Sequence, residues 1–423
     1  MTTLLPPVNE VLGQFSQIFP DGVSYTGPLG VAWAPGRVNY IGEHTDYNDG
    51  FVLPLAVDRV AAFAGRMRDD GIVRLWSTHF HERAQFTLAG LPDNFEQQRS
   101  PLPGWARYVL GVASELLRDG LVLNGFDAVV GGDVPLGGGM SSSAALEVAT
   151  VQAFSFFSAG RFTVAEEGAT KTPMEVAACC QRAEHVASGL RSGILDQAAS
   201  CLGRPEKAIL LDCRSFEHRY IPFSAPELSL VVIDTNARRE LANTAYNERR
   251  QQCEQTTALV RDLIAQYEPG TDVQYIKALR DITPEQFARY KEHLPALLSK
   301  RAGYVIAENE RVHQVVRLLE KGDIEATGTI LYAGHAALRD EYEVSCMELD
   351  ALVEIVRPVP GVLGARMMGG GFGGCTINLV RTEAVAALRQ AVEEHYPKRT
   401  GRQANIDICR AAAGPGQATV QAL

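Results

Sequence analysis

The residues that could do chemistry gather in four stretches of the sequence. The first runs Gly131-Gly-Asp-Val-Pro-Leu-Gly-Gly-Gly-Met-Ser-Ser-Ser-Ala144. Three consecutive glycines (Gly137, Gly138, Gly139), then Met140 and three serines (Ser141, Ser142, Ser143), join an apolar strand at Phe126–Val130 to a helical pattern over Ala144–Phe157. Glycines let backbone N–H groups curl around phosphate oxygens, and a helix N-terminus adds unpaired donors and a positive dipole end. Serines there cap the helix, bind phosphate or hold Mg²⁺. The stretch reads as an anion cradle, although its glycines alone also fit a turn before a serine-capped helix. No lysine lies between Gly131 and Gly160, which rules out the common P-loop, and the glycine spacing is not that of a dinucleotide fold.

The second stretch, Ala34–Pro54, packs Arg37, Glu43, His44, Thr45 and Asp46 between Val38, Ile41, Val52 and Leu53. Polar groups set among apolar ones tend to be buried and hydrogen-bonded. Carboxylates and an imidazole offer acceptors and donors to a molecule studded with hydroxyls, such as a sugar; a solvated loop is the plainer alternative. The third stretch, Ser188–Ser200, places Asp196 among Ile194, Leu195 and Ala198, an apolar setting for a carboxylate, though an aspartate at a helix start would look the same. The fourth, Gly364–Cys375, has glycine at every position from 369 to 374 but Phe372. That density excludes a helix or strand interior and allows a tight hairpin or close backbone approach.

The elements that must position these groups alternate between α and β patterns. Apolar spacing predicts helices over Val8–Phe19, Trp105–Leu117 and Thr172–Ala187, the last with Pro173 at its first helical position and Glu184 inside it. Strands are predicted at Gly30–Trp33, Val57–Met67, Val73–Phe80, Ala208–Asp212, Leu228–Asp234 and Thr376–Val380. A helix opens within Thr235–Cys253 and carries Tyr246; further helices are predicted over Tyr304–Leu319, Asp323–Tyr332 and Glu341–Val356, and Ala411–Gln417 reads as a frayed tail.

With 423 residues the chain can hold two domains, and 46% hydrophobic with 21% charged residues is ordinary globular composition. A net charge of −10 argues against a nucleic-acid partner. The eight cysteines show no metal spacing and read as buried thiols in a reduced, cytoplasmic compartment. There is no leader pattern and no apolar run of the ~20 residues a membrane span needs.

The Pro-x-Gly-x-Gly-x-Ser-Ser-Ser-Ala order from Pro135 to Ala144 resembles the phosphate loop of the GHMP small-molecule kinases. Pro35–Tyr47 resembles the galactokinase signature Gly-Arg-x-Asn-x-Ile-Gly-Glu-His-Thr-Asp-Tyr without a break. Gly193-Ile-Leu-Asp-Gln197 is similar to that family's Gly-Ile-Met-Asp-Gln, with Leu for Met, and Gly364–Cys375 to the third GHMP motif. One departure is Arg239, where family members often carry histidine.

The resemblance implies an α+β, two-lobed fold: an N-terminal lobe, residues 1–220, like the second domain of ribosomal protein S5, and a C-terminal α+β lobe, residues 221–423, with the active site between them. The boundary is soft, because lobes of this family exchange segments, which leaves room for the chain end to return to the first lobe's neighbourhood. It implies ATP and Mg²⁺, with residues 137–143 on the phosphates and Ser143 and Glu184 on the metal. Asp196 would be the catalytic carboxylate, taking up or orienting the acceptor proton beside Arg37. Glu43, His44, Thr45, Asp46, Asp196 and Tyr246 would bind the sugar. The implied reaction moves the γ-phosphate of ATP to the C1 hydroxyl of D-galactose; the sequence does not set the oligomeric state, a monomer being slightly favoured. Two alternatives stand beside it: a GHMP kinase for a related sugar such as N-acetylgalactosamine, and a catalytically silent sugar and ATP sensor. Against the sensor, Ser142–Ala145, Glu184 and Asp196 are intact.

Overall fold

A computed structural model describes residues 4–20, 25–158, 161–165, 168–237 and 242–420. Its strands are β1 (Gly30–Asn39), β2 (Phe51–Val52), β3 (Pro54–Arg68), β4 (Ile72–Ser77), β5 (Glu82–Thr87), β6 (Gly125–Gly132), β7 (Lys207–Asp212), β8 (His218–Pro222), β9 (Leu228–Asp234), β10 (Val362–Met368), β11 (Cys375–Arg381), β12 (Asn405–Cys409) and β13 (Gly416–Thr419). The helices are α1 (Pro6–Ile18), α2 (Phe95–Arg99), α3 (Gly104–Arg118), α4 (Ser142–Phe157), α5 (Pro173–Ser188), α6 (Leu195–Leu202), α7 (Ala242–Tyr267), α8 (Pro284–Tyr290), α9 (Ala296–Glu320), α10 (Thr327–Ala337), α11 (Met347–Val356) and α12 (Val385–Thr400). None of the described helices is long and apolar enough to cross a membrane.

A six-stranded sheet has the order β13-β1-β3-β6-β4-β5, in which only β4 and β6 run parallel. Its side chains alternate between two cores, as the two-residue period of a strand demands. Val31, Ala62, Ala64 and Val129 face Val8, Val11 and Phe15 of α1. Ala32, Ala61, Phe63, Phe126 and Ala128 face the larger core, shared with α3, α4, α5 and α6. Helix α4 is apolar all round and buried, and it lies against β1. A second, antiparallel sheet, β10-β11-β9-β12, is covered on one face by α11 and α12; its other face, through Leu230, Val232, Ile377 and Leu379, joins the larger core. A three-stranded sheet, β2-β7-β8, ties the stretch after the 40–46 turn to the middle of the chain. A third core joins α7, α9 and the segment around Tyr342.

Several boundaries differ from the sequence reading. The tail at 411–417 is not frayed: Ala411 bridges Val57, and β13 pairs antiparallel with β1, Gly30 opposite Thr419 and Trp33 opposite Gly416. A Cβ on Gly416 would lie 2.4 Å from the Trp33 ring, so this glycine lets the last strand close on the sheet. The helix expected over Glu341–Val356 is a π-helical turn at Leu338–Tyr342, ended by Glu343 in the left-handed region, with α11 starting only at Met347. The strand expected over Val73–Phe80 ends at Ser77. Helix α5 forms as its caps dictate, with a Thr172–Glu175 capping box, Pro173 in its first turn and left-handed Gly189 at its end. All eight cysteines are buried and none is in a disulfide.

Candidate active site

The phosphate loop leaves β6 and enters α4. Gly137 and Gly139 have φ of +65° and +73°, and Ser141 has +52°. These left-handed residues fold the backbone back on itself, and α4 begins at Ser142 with its first-turn N–H groups facing the loop. Ser141 does not cap the helix; its hydroxyl donates instead to Asp196 Oδ2 at 2.7 Å. Met140 is buried, and its carbonyl accepts from Arg37 N at 3.0 Å. The glycine-rich segment before β11 packs beside this loop: Cys375 Sγ donates to the Gly138 carbonyl, and a Cβ on Gly139 would meet the Cys375 side chain at 3.1 Å.

Arg37 sits where the β1–β3 register slips, between Pro35 and Arg37, and such a bulge re-aims a side chain. Its Nε and Nη2 donate to Asp196 Oδ1 and Oδ2, both at 2.6 Å, and its Nη1 donates to the Gly139 carbonyl. Asp196 lies in the first turn of α6, where the helix dipole favours a carboxylate. One cation thus holds both the carboxylate and the phosphate loop.

Around Asp196 a cavity of about 170 Å³ is lined from both ends of the chain, by Arg37, Asn39, Glu43, His44 and Asp46, by Ser192 and Gly193, by Tyr246, and by Gly369–Phe372. Its walls carry buried polar atoms that make no hydrogen bond of good geometry among the described residues, namely both amide atoms of Asn39, Glu43 Oε1 and His44 Nε2, with only weak approaches of Asn39 to Glu43 and of Gly370 to His44. Such groups cost free energy unless a ligand satisfies them. Burial lowers the His44 pKa to about 3, so the ring is neutral at pH 7, with Nδ1 2.7 Å from the Tyr47 hydroxyl. Burial, and then the charge of Asp196, raises Asp46 to about 6. Tyr246 packs tilted against His44 and edge-on to Tyr47, ring centres 5.3 and 5.2 Å away, and burial holds its phenol well above the ordinary value. Thr45 does not line the cavity; its hydroxyl is shared between the carbonyls of Gly42 and Phe51, at 2.8 and 2.7 Å, and so fixes the turn. Arg239 lies outside the described residues.

Ser143 Oγ donates to Glu184 Oε1 at 3.2 Å. Glu184 Oε2 accepts from Ser192 Oγ at 2.5 Å and Gln197 Nε2 at 3.1 Å, and burial raises its pKa. Gln197 Nε2 also reaches the fully buried Glu147, at 3.0 Å. Among the described residues no group of three or more His, Cys, Asp or Glu could hold a metal alone. A hydroxyl and a carboxylate beside a phosphate cradle do fit Mg²⁺, which takes one or two protein oxygens and fills its remaining positions with phosphate and water.

A second cavity, about 380 Å³, opens on the far side of the loop between Gly137, Ser142 and Ser143 and an apolar wall of Phe80, Trp105, Tyr108, Val130 and Leu136. Aromatic faces beside a phosphate loop suit a flat base. Sequence reasoning missed this half of the site, because apolar residues from the turn after β4, from α3 and from β6 carry no polar signature. It also missed Asn39, Ser192 and Gln197, which sit inside the recognised stretches but had no assigned role. Arg366 and Glu308 were missed as well; an arginine inside an apolar strand pattern was the one available signal.

The galactokinase galactose-binding signature matches residues 14–67, the GHMP kinase N-terminal domain residues 107–204 and the GHMP kinase C-terminal domain residues 315–398. The chain is 41% identical to a galactokinase of Roseiflexus sp. (strain RS-1), covering 92% of this chain and 93% of that one, and 39% identical to the galactokinase of Homo sapiens, covering 97% of each. Its structure matches that of Lactococcus lactis galactokinase complexed with galactose at a TM-score of 0.83 and 31% identity, over 96% of this chain and 99% of that one. A mevalonate kinase, at TM-score 0.58 and 15% identity over 90% of this chain and 98% of that one, shares the fold.

Proposed function

The chain belongs to the galactokinase family of GHMP kinases, ATP-dependent sugar kinases, and from that premise we propose that it moves the γ-phosphate of ATP to the C1 hydroxyl of D-galactose, giving galactose 1-phosphate and ADP. The observation that carries this reading is Asp196. It stands at the junction of a cavity rich in unsatisfied polar atoms and a phosphate loop, clamped by Arg37 and Ser141.

Phosphoryl transfer asks a protein mainly for positioning and charge stabilisation. The 137–143 backbone and the start of α4 hold the triphosphate, with the base in the cavity of Trp105 and Tyr108. Ser143 and Glu184 would hold Mg²⁺, which when bound neutralises charge on the β- and γ-phosphates. Asn39, Glu43, His44, Asp46 and Tyr246 pair with the sugar hydroxyls. A site whose polar atoms are left unpaired by the wrong sugar rejects that sugar. Asp196 faces the acceptor hydroxyl, orients it and takes its proton as the new P–O bond forms. Arg37, already on Asp196 and the loop, offsets charge on the transferring group.

We further assign the sugar signature and phosphate loop to an N-terminal lobe ending near residue 220, and residues from 221 to a C-terminal lobe, with β13 added back to the first. Buried thiols in no disulfide favour a reducing, cytoplasmic setting, and we take the working unit to be a monomer. The test is ADP release with ATP, Mg²⁺ and galactose, glucose or N-acetylgalactosamine. Turnover on galactose well above the other two is expected. Galactose and ATP binding without turnover would instead make the protein a sensor.

A further inference from the structure

A buried charged cluster lies behind the sugar cavity. Arg366, on β10, is fully buried. Its Nη2 donates to Glu43 Oε2 and, at 2.9 Å, to Oε1 of Glu308 on α9. Glu308 also accepts from Gly42 N at 3.0 Å and from Arg311 Nε at 2.6 Å. The cluster thus joins the second sheet, α9 and the turn that carries the sugar signature. Helix α10 leaves room for it: a Cβ on Gly334 would sit 2.9 Å from Arg366 Nη1.

Glu43 is divided by this arrangement. Oε2 is committed to Arg366, while Oε1 is buried and makes no hydrogen bond of good geometry, the Asn39 amide being only its weak neighbour, on a side chain that lines the sugar cavity. A carboxylate with one oxygen clamped and the other open is an acceptor of fixed direction. Burial pushes Glu43 up to about 7, and Arg366 is the charge that opposes it. Glu308, despite its own burial, is drawn down to about 2 by Arg366 and Arg311. Two buried carboxylates sharing one arginine make a costly arrangement for stability alone, since apolar residues of similar volume often serve as well or better.

We propose that Arg366 is a positioning residue for sugar recognition: it fixes Glu43 so that Oε1 accepts from one particular hydroxyl of the sugar, and so sets from behind the site the penalty for a sugar lacking that hydroxyl. This rests on the galactose reading above. Arg366 touches neither substrate; its whole effect passes through Glu43. Helix α10 therefore tunes sugar choice as well, because Gly334 decides where the guanidinium lies.

The test measures kcat and KM for ATP, for galactose and for its 2-, 3-, 4- and 6-deoxy analogues, in the wild type, Glu43→Gln, Arg366→Met, Arg366→Lys and Gly334→Ala. Glu43→Gln identifies the hydroxyl, as the one deoxy analogue that is no longer disfavoured against galactose. Arg366→Met is expected to raise the galactose KM at least tenfold, to keep the ATP KM within twofold, and to lose discrimination at that same hydroxyl and no other. Arg366→Lys should restore part of it. Gly334→Ala keeps every charge and improves helix propensity, so it folds even if Arg366→Met does not; it should shift the same ratio by a few-fold. Unchanged deoxy-sugar ratios in Gly334→Ala and in whichever Arg366 variants fold, or ATP and galactose KM rising together, would overturn the proposal. Failure of the wild type to turn over galactose would overturn the functional reading instead, so the two failures are distinct.

Discussion

At the scale of single residues, the site is a set of carboxyls kept apart by their environments. Asp196 is held by a bidentate arginine and a serine. Asp196→Asn keeps the shape and removes the charge and the basic oxygen. It should retain the fold and nucleotide binding while kcat falls about 10²- to 10⁴-fold, as loss of a positioned acid–base group does; single-turnover kinetics with calorimetric titration of ATP checks this. Asp46 gives a pH prediction. Its folded pKa, about 6, lies above the usual carboxylate value, so the native state holds the proton more tightly than the unfolded chain. Its contribution to stability is therefore present at about pH 4 and is lost as pH rises through 6. Asp46→Asn, free of this loss, should be more stable than the wild type at pH 8 but not at pH 4. The gap should be on the order of 1–2 kcal/mol, discounted from the full shift because the side chain is half-buried and lines the cavity. Urea unfolding without sugar at the two pH values reads it directly.

At the scale of elements, close approaches between loops shape the site. Gly193, just before α6, passes so near the sugar turn that a Cβ there would lie 1.8 Å from Asp46 Oδ2. The Asp46 carboxylate is itself tied to Tyr47 N at 2.9 Å. Gly193→Ala should displace that carboxylate and raise the galactose KM about 10- to 100-fold, the worth of a hydrogen bond to a charged group, with the ATP KM and the circular dichroism spectrum unchanged. Such contacts explain what the sequence could and could not reveal. Local signals were legible: the capped α5, the buried α4, the glycine loop, and the polar stretch holding Arg37, Glu43, His44 and Asp46. The Arg37–Asp196 pair joins residues 159 apart, and Arg366–Glu43 joins residues 323 apart, so neither leaves a mark at short spacing. Ser141 reads in the sequence as a phosphate ligand, with a helix cap as the plainer alternative; its left-handed backbone departs from the extended conformation a cap requires and turns its hydroxyl to Asp196. The π-helical turn at Leu338–Tyr342 shares the apolar spacing of a helix and was hidden for that reason.

At the scale of the whole molecule, distant parts of the chain are bound together twice. The sugar cavity takes walls from residues 37–46 and from 369–372. A sugar seated there contacts both lobes, so galactose at 100 times its Kd should stabilise the fold by about 2.7 kcal/mol, read as a rise in Tm that glucose at the same concentration does not give. The second tie is β13. Removing residues 412–423 strips the partner from β1 and should cost on the order of 2–4 kcal/mol in ladder hydrogen bonds, with aggregation through the bared edge; thermal unfolding followed by light scattering would show both.

That last strand also sets a schedule. Nearly four hundred residues separate β1 from its β13 partner. At a ribosome's pace of ~5–20 residues per second, the outer flank of the first sheet waits roughly 20 to 80 seconds for its final neighbour to be made. During that interval the nascent chain offers β1 to any passing strand. The protein's risk of misassembly is therefore concentrated in its birth, and a chaperone that shields this one flank would matter more to yield than to the finished enzyme.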